Sequence, residues 1–207
     1  MSFIDHSVTD LLAAFRSGDP TPGGGSAAAL AGAIGASLFA MVAGLPKSKA
    51  ATAEDIARLK ASGERCTALA GELATLIDKD AASYDLVMAA YKMPKATDGE
   101  KAARSAAIQD GMRAAIAAPL AVMRACAAAA EQGVVVAGLG NPSAASDGQV
   151  GFELLGAALR GARLNVDTNL GSVKDAAYAA QVRKDVEEFA RAIEHETAAA
   201  RKAYGVV

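Results

Sequence analysis

The amino-acid sequence predicts an all-α fold, a multi-helix up-and-down bundle with a buried Ala/Gly-rich central helix. Three observations lead there. Apolar positions recur at steps of three and four over long stretches, above all between Ala53 and Tyr91. The run from Ser26 to Leu45 carries no charge, so a helix there has no face made for water. Strand signals are missing: Val134 to Ala137 is the one β-branched run, and it has no partner to pair with. The chain of 207 residues is expected to form a single domain, 1–207, whose core needs neither disulfides nor a structural metal.

The first expected helix lies between Asp5 and Ser17, where Val8, Leu11, Leu12 and Phe15 share one face. Gly18, Pro20 and Pro22 end it. Gly23, Gly24 and Gly25 can then hold backbone angles closed to other residues, and Ser26 is a good N-cap, so the central helix is expected to begin at Ser26. Within it Ala28, Gly32, Gly35 and Ala36 allow neighbouring helices close approach. Pro46 breaks the chain, with Lys47 and Lys49 beside a helix C-terminus, where cations compensate the dipole or hold an anionic ligand.

In the next helix Ile56, Leu59, Gly63, Cys66, Ala70, Leu73, Ile77, Asp80, Tyr84, Val87 and Tyr91 form one heptad seam without a slip. Every member is apolar, small or aromatic except Asp80, whose carboxylate is thereby placed on the packed side. Asp78 and Asp85 fall off the seam and are expected in solvent. A buried carboxylate is costly unless paired, neutralised or lining a cavity, and burial raises its pKa towards the range useful for proton transfer. A structural Asp bonded to a helix terminus and a functional Asp in a cavity both satisfy the pattern.

Pro94 ends this helix, and Thr97-Asp-Gly-Glu100 matches a capping box that opens the next, continuing to Glu131 with Pro119 as a kink or a new start. Gly138 to Ser146 reads as flexible, and Ser146 and Asp147 as N-caps of a helix reaching Leu170. Along that helix Asp147, Gly151, Leu154, Ala158, Gly161, Asn165 and Asn169 fall on one line. The line is small in its middle and polar at both ends. Asn165 and Asn169 therefore sit on a packed face, where their amides need partners in neighbouring helices or in a ligand. Tyr178, Val182, Val186, Phe189 and Ile193 mark a last amphipathic helix between Lys174 and Tyr204.

Composition removes several function classes. A net charge of -2, 4% aromatic residues and no Trp leave neither the electrostatics nor the stacking surface of a nucleic-acid platform. Cys66 and Cys126 are not spaced as a metal pair, and His6 and His195 lie at opposite ends of the chain, so no metal site is expected. The cysteines read as small core residues in a reducing cytoplasm. The uncharged run is nearly a bilayer span in length, but it is poor in Leu, Ile and Val and lacks an aromatic belt, so no membrane partner is expected. Asp5 and Asp10 argue against a secretory signal. Gly23 to Ser26 lacks the Gly-Lys-Ser/Thr ending of a phosphate loop and follows no strand, which leaves a helix N-terminus able to offer N–H groups to a carboxylate or carbonyl.

Taken together and in this order, PTPGGGSAAALAGAIGASLFAMVAGL, DKDAASYDLVMAAYKMPK, EKAARSAAIQ, the Asn-x4-Ser-Asp of Asn141 to Asp147 and LNVDTNL resemble the cyclodeaminase/cyclohydrolase family of folate enzymes. The resemblance covers nearly the whole chain. It implies an all-helical homodimer that acts on a tetrahydrofolate derivative as substrate, with no cofactor, in cytoplasmic one-carbon metabolism. It further implies that Asp80 is catalytic, and that Gly23, Gly24, Gly25, Ser26, Lys95, Asn141, Asp147, Asn165 and Asn169 bind substrate or shape its pocket. The activity expected is hydrolysis of 5,10-methenyltetrahydrofolate to 10-formyltetrahydrofolate. The alternatives are a formiminotetrahydrofolate cyclodeaminase that releases ammonia, a non-catalytic folate-binding module, and a purely structural bundle.

Overall fold

A computed structural model describes residues 2–46 and 51–205. Among them helix is the only regular structure. A 3-10 turn, Phe3–Asp5, leads to α1 (Val8–Arg16), α2 (Gly24–Gly44), α3 (Ala53–Lys92) and α4 (Asp98–Leu139). A second 3-10 turn, Pro142–Ala144, precedes α5 (Ala145–Leu170) and α6 (Ala176–Ala203). The two longest helices begin on reciprocal capping boxes, Thr52 with Asp55 and Thr97 with Glu100, which fix where each starts.

Helices α2 to α6 alternate in direction. Gly25 of α2 lies against Asp80 of α3, and Gly63 of α3 against Ala43 of α2, so the two run antiparallel. The Ser62 hydroxyl donates to Gln132 Oε1 at 3.1 Å and Gly111 packs on Val87, which sets α4 antiparallel to α3. Gly133 of α4 meets Phe152 of α5, while Arg163 and Arg201 pair with Glu187 and Glu153 across α5 and α6. Phe39, Leu73, Ile77, Ile116, Met123 and Leu155 fill the shared core. The small residues of α2 act as expected: a Cβ on Gly32 would stand 2.9 Å from Cys126 Sγ, and one on Gly35 2.8 Å from the Gly151 carbonyl.

Four expectations change. The largely buried α2 packs on α3, α4 and α5 yet keeps an open line through Ala27, Ile34 and Met41, while the longer α4 packs on α2, α3, α5 and α6. An uncharged helix is thus not buried all round, since its outward residues are merely apolar. Pro119 neither breaks nor restarts α4, which is continuous through it and also takes in Val134 to Ala137. Asp78 is not simply solvated: it accepts from the Phe3 N–H at 2.7 Å and from the Ser2 hydroxyl, and so ties the N-terminal segment to α3. Finally, α5 starts on Ala144 rather than Ser146 or Asp147, because the preceding 3-10 turn, capped by Asn141, already sets its direction.

Lys47 and Lys49 lie outside the described residues. By length and composition α2 and α4 could each cross a membrane, yet both contribute side chains to the core shared with α3 and α5.

Candidate active site

The first turn of α2, the second half of α3, the early part of α4 and the C-terminal end of α5 converge on a cleft of about 440 Å³. Its polar wall is made of Gly23, Gly24, Gly25, Asp80, Asn165 and Asn169. The rest of its lining is apolar and aromatic, with Pro20, Tyr84, Val87, Met88, Tyr91 and Met112. Antiparallel packing produces this meeting: α2 begins where α5 ends, and α3 passes both at Asp80. No Lys or Arg lines the cleft.

Asp80 is half-buried, and its carboxylate is met by Ser26, whose hydroxyl donates to Oδ2 at 3.0 Å and lies 2.9 Å from the Ile77 carbonyl. Burial pushes the Asp80 pKa above the ordinary carboxylate value, and the hydroxyl and backbone N–H of Ser26 pull against that rise. Ser26 is therefore not the N-cap expected of it. Gly23 is the N-cap, which puts Ser26 one turn inside the helix, fully buried and turned towards α3. The glycines also differ from expectation: Gly23 is extended, and of the described residues only Gly205 has a positive φ. The constraint at Gly25 is space, since a Cβ there would overlap the Asp80 carboxylate.

The two amides are each held by one arm. Asn165 Nδ2 donates to the Gly161 carbonyl at 2.9 Å, and Asn169 Nδ2 donates to the Ala115 carbonyl of α4 at 2.8 Å. Both partners are acceptors, which fixes the nitrogen towards them and leaves each Oδ1 free of that bond. The Ala115 carbonyl is available for a reason visible in the sequence. Four residues on stands Pro119, which has no N–H to give it, so the gap in the α4 ladder becomes the anchor for Asn169.

The remaining candidates are not in this cleft. Lys95 lines an adjoining hollow beyond Tyr91. Asn141 and Asp147 belong to the opposite end of α5, with about 27 Å of helix between Asp147 and Asn165. Both arms of Asn141 are used locally, Nδ2 on the Pro46 carbonyl at 2.7 Å and Oδ1 accepting from Ser143 N. These bonds shape the turn, where Asn141 also lines a separate hollow of about 510 Å³ with Val42, Val136 and Tyr204. Sequence reasoning assigned Tyr84 and Tyr91 to the packed seam, whereas they are the aromatic wall of the cleft. The signal was present, for they share the heptad face of Asp80. Met112 and Ala115 left none.

This bundle of antiparallel helices has solved counterparts. One is the formiminotetrahydrofolate cyclodeaminase of Thermotoga maritima, which superimposes with a TM-score of 0.86 over 97% of this chain and 96% of that one, at 25% identity. The chain belongs to the formiminotransferase-cyclodeaminase family, whose sequence profile matches residues 7–188. Among its relatives is the methenyltetrahydrofolate cyclohydrolase of Methylorubrum extorquens, 39% identical over 183 residues that make up 88% of each chain. Another is the formimidoyltransferase-cyclodeaminase of Sus scrofa, 35% identical over 80% of this chain but only 30% of that longer protein.

Proposed function

We propose that the protein is a 5,10-methenyltetrahydrofolate cyclohydrolase, and that the Asp80 cleft is its active site. The observation that carries this reading is the electrostatic character of the cleft. It offers a carboxylate and amide oxygens, no basic side chain, and apolar and aromatic lining from Pro20, Tyr84, Val87, Met88 and Tyr91. That surface suits a planar cation, and the methenyl bridge is an amidinium-like cation next to a flat pteridine.

In this mechanism ionised Asp80 stands as counter-charge to the bridge and takes a proton from the attacking water as oxygen bonds to the methenyl carbon. The carbon is then tetrahedral and the charge of the bridge is discharged. Asp80 returns the proton to the N5 nitrogen as the bond from carbon to N5 breaks, the hydroxyl proton leaves to solvent, and the formyl group stays on N10. The N–H groups at the start of α2 have no partner within the helix and are the donors nearest the developing oxygen charge. Asn165 and Asn169 act as acceptors that orient water and ring N–H groups. Each amide nitrogen gives one N–H to a main-chain carbonyl and keeps its second N–H as a donor for the developing oxygen charge. The scheme draws on no metal or cofactor, since the substrate brings its own electrophile.

The same groups could protonate departing ammonia from a formimino substrate, and the likeness to the Thermotoga maritima cyclodeaminase favours keeping that as the second reading. Loss of methenyltetrahydrofolate absorbance with purified protein, run beside ammonia release from formiminotetrahydrofolate, separates them. Ammonia without hydrolysis would overturn the first reading.

The reading includes a homodimer in the cytoplasm. Ile34 and Met41 on α2 are 46% and 44% exposed, and Leu164 on the antiparallel α5 is 69% exposed. A helix with no charged residue needs a cover for that line, and a second copy supplies one. Mass from light scattering checks it, and Ile34→Lys with Leu164→Lys is expected to give monomers. The buried free thiols Cys66 and Cys126 suit a reducing compartment.

A further inference from the structure

Beyond Tyr91 the cleft gives way to a second hollow of about 450 Å³, between the end of α3, the start of α4 and the turn from α5 to α6. The two cavities share Tyr91 as a common wall and have opposite chemistry. The Asp80 cleft has no cation. The hollow is lined by Lys95, Lys101, Arg104 and Lys174, and no carboxylate is among its lining residues. Asp98, paired with Lys101 at 2.8 Å and almost fully exposed, stands outside it.

The hollow is held in shape by its own polar bonds. Arg104 donates through Nε and Nη2 to the Tyr91 carbonyl at 3.2 and 3.1 Å, and its guanidinium lies 5.5 Å from the centre of the Tyr91 ring. The wall between the cavities is thereby fixed from the basic side. Gln109 pins the α5–α6 turn by accepting from Lys174 N and donating to the Ser172 carbonyl, and Lys174 Nζ rests on Ser105 Oγ at 2.9 Å. The lysine ammonium retains further donors for a ligand.

From these placements we infer that the hollow is the subsite for the carboxylate tail of the substrate, with Lys95 and Lys174 as its binding residues and Arg104 as a positioning residue acting through Tyr91. This rests on the proposed folate reading. A folate is charged unevenly along its length: the reacting bridge is cationic, the benzoyl spacer flat and neutral, and the glutamate end doubly anionic. Asp80 and Tyr91 are eleven residues apart on one helix, about 16 Å. Along that distance the protein passes from a carboxylate, through Tyr84, Val87 and Met88, to the cations. Charge and polarity follow the same order in both molecules. The polarity of the site also sets the direction of binding, because a tail placed at Asp80 would meet like charge.

The test uses the full-length protein, binding by calorimetry and turnover by absorbance. Pteroylglutamate is compared with pteroate, which lacks the glutamate, for wild type, Lys95→Glu/Lys174→Glu and the conservative Lys95→Arg/Lys174→Arg. Wild type is expected to bind pteroylglutamate about tenfold more tightly than pteroate, a preference the Glu variant loses and the Arg variant keeps. For methenyltetrahydrofolate the Glu variant raises KM about tenfold against a change in kcat of about twofold, and the salt dependence of KM flattens. Equal affinity of wild type for both ligands, or an equal loss for both in the Glu variant, overturns the subsite. Turnover of methenyltetrahydrofolate with no tail preference would leave the function standing and the subsite wrong. A tail preference with no turnover would do the reverse. Both variants lie on exposed positions, and circular dichroism confirms that they are folded.

Discussion

At its start α5 follows a turn capped by Asn141 and carries Asp147 in its first helical turn, and at its end it carries Asn165 and Asn169 beside the glycines of α2. The residue types are the same at both ends; what differs is how much of each side chain the protein itself consumes. Asn141 has both ends of its amide bonded within the chain, Nδ2 to the Pro46 carbonyl and Oδ1 from Ser143 N, so that one N–H and one lone pair remain. Asn165 and Asn169 spend only nitrogen. Asp147 sits in the first turn of a helix, where a negative charge is welcome, whereas Asp80 is held in a cleft by one hydroxyl and a first-turn N–H, at a raised pKa. A site is thus marked less by polar residues than by polar capacity left over after folding.

The sharpest way to break this comparison is Asp80→Asn. Loss of the base is expected to reduce kcat by about a thousandfold. The same change should raise Tm near neutral pH. Burial raises the folded-state pKa of Asp80, so the folded protein binds that proton more tightly than the unfolded chain does. The stabilisation from protonated Asp80 is full below the unfolded-state pKa and is lost as pH rises through the folded-state value. At neutral pH the ionised group is therefore a cost that the substitution removes. Melting curves should show the gain in Tm shrinking as pH is lowered through that window, while wild-type turnover declines over the same range. A variant that melts lower than wild type at neutral pH would contradict the burial account.

Next in size is Gly25→Ala, whose methyl would displace the Asp80 carboxylate. About a hundredfold loss of kcat/KM is expected, with about 1–3 kcal/mol of stability lost to overpacking in a urea melt. Smaller again is Asn169→Ala, which empties one acceptor of the cleft and leaves the Ala115 carbonyl unpartnered, for about tenfold in kcat/KM and about 1 kcal/mol. Pro119→Ala should mimic part of that effect from a distance, because the new N–H competes with Asn169 for the same carbonyl. A fall of about fivefold in kcat/KM without a lower Tm is expected, and unchanged kinetics would show that the anchor does not matter. The smallest change in activity belongs to Asn141→Ala. It should cost about 1 kcal/mol of stability and leave turnover within about twofold. A folded Asn141→Ala protein without activity would erase the contrast between the two ends of α5.

Much of this was legible in the chain. The seam from Ile56 to Tyr91 placed Asp80 on the packed side, the line from Asp147 to Asn169 identified the two amides, and Thr97 to Glu100 marked the start of α4. Those features are local, set by helical spacing and by caps, and spacing survives whatever the helices pack against. Pro119 was legible as an irregularity but not as an anchor, because its effect lies in the carbonyl four residues earlier and in a side chain fifty residues later.

What the tertiary structure alone decided is which ends meet. The antiparallel order of α2, α3 and α5 brings Gly25, Asp80 and Asn165 to one place and carries Asn141 and Asp147 to another. It also turns Ser26 from a cap into the partner of Asp80, and leaves one open line on the otherwise buried α2. The physical reason is that helical periodicity specifies the face a residue occupies but not the height at which two helices pass one another. That height is fixed by close contacts such as Gly35 on Gly151 and Gly63 on Ala43, whose partners no single-chain pattern pairs in advance.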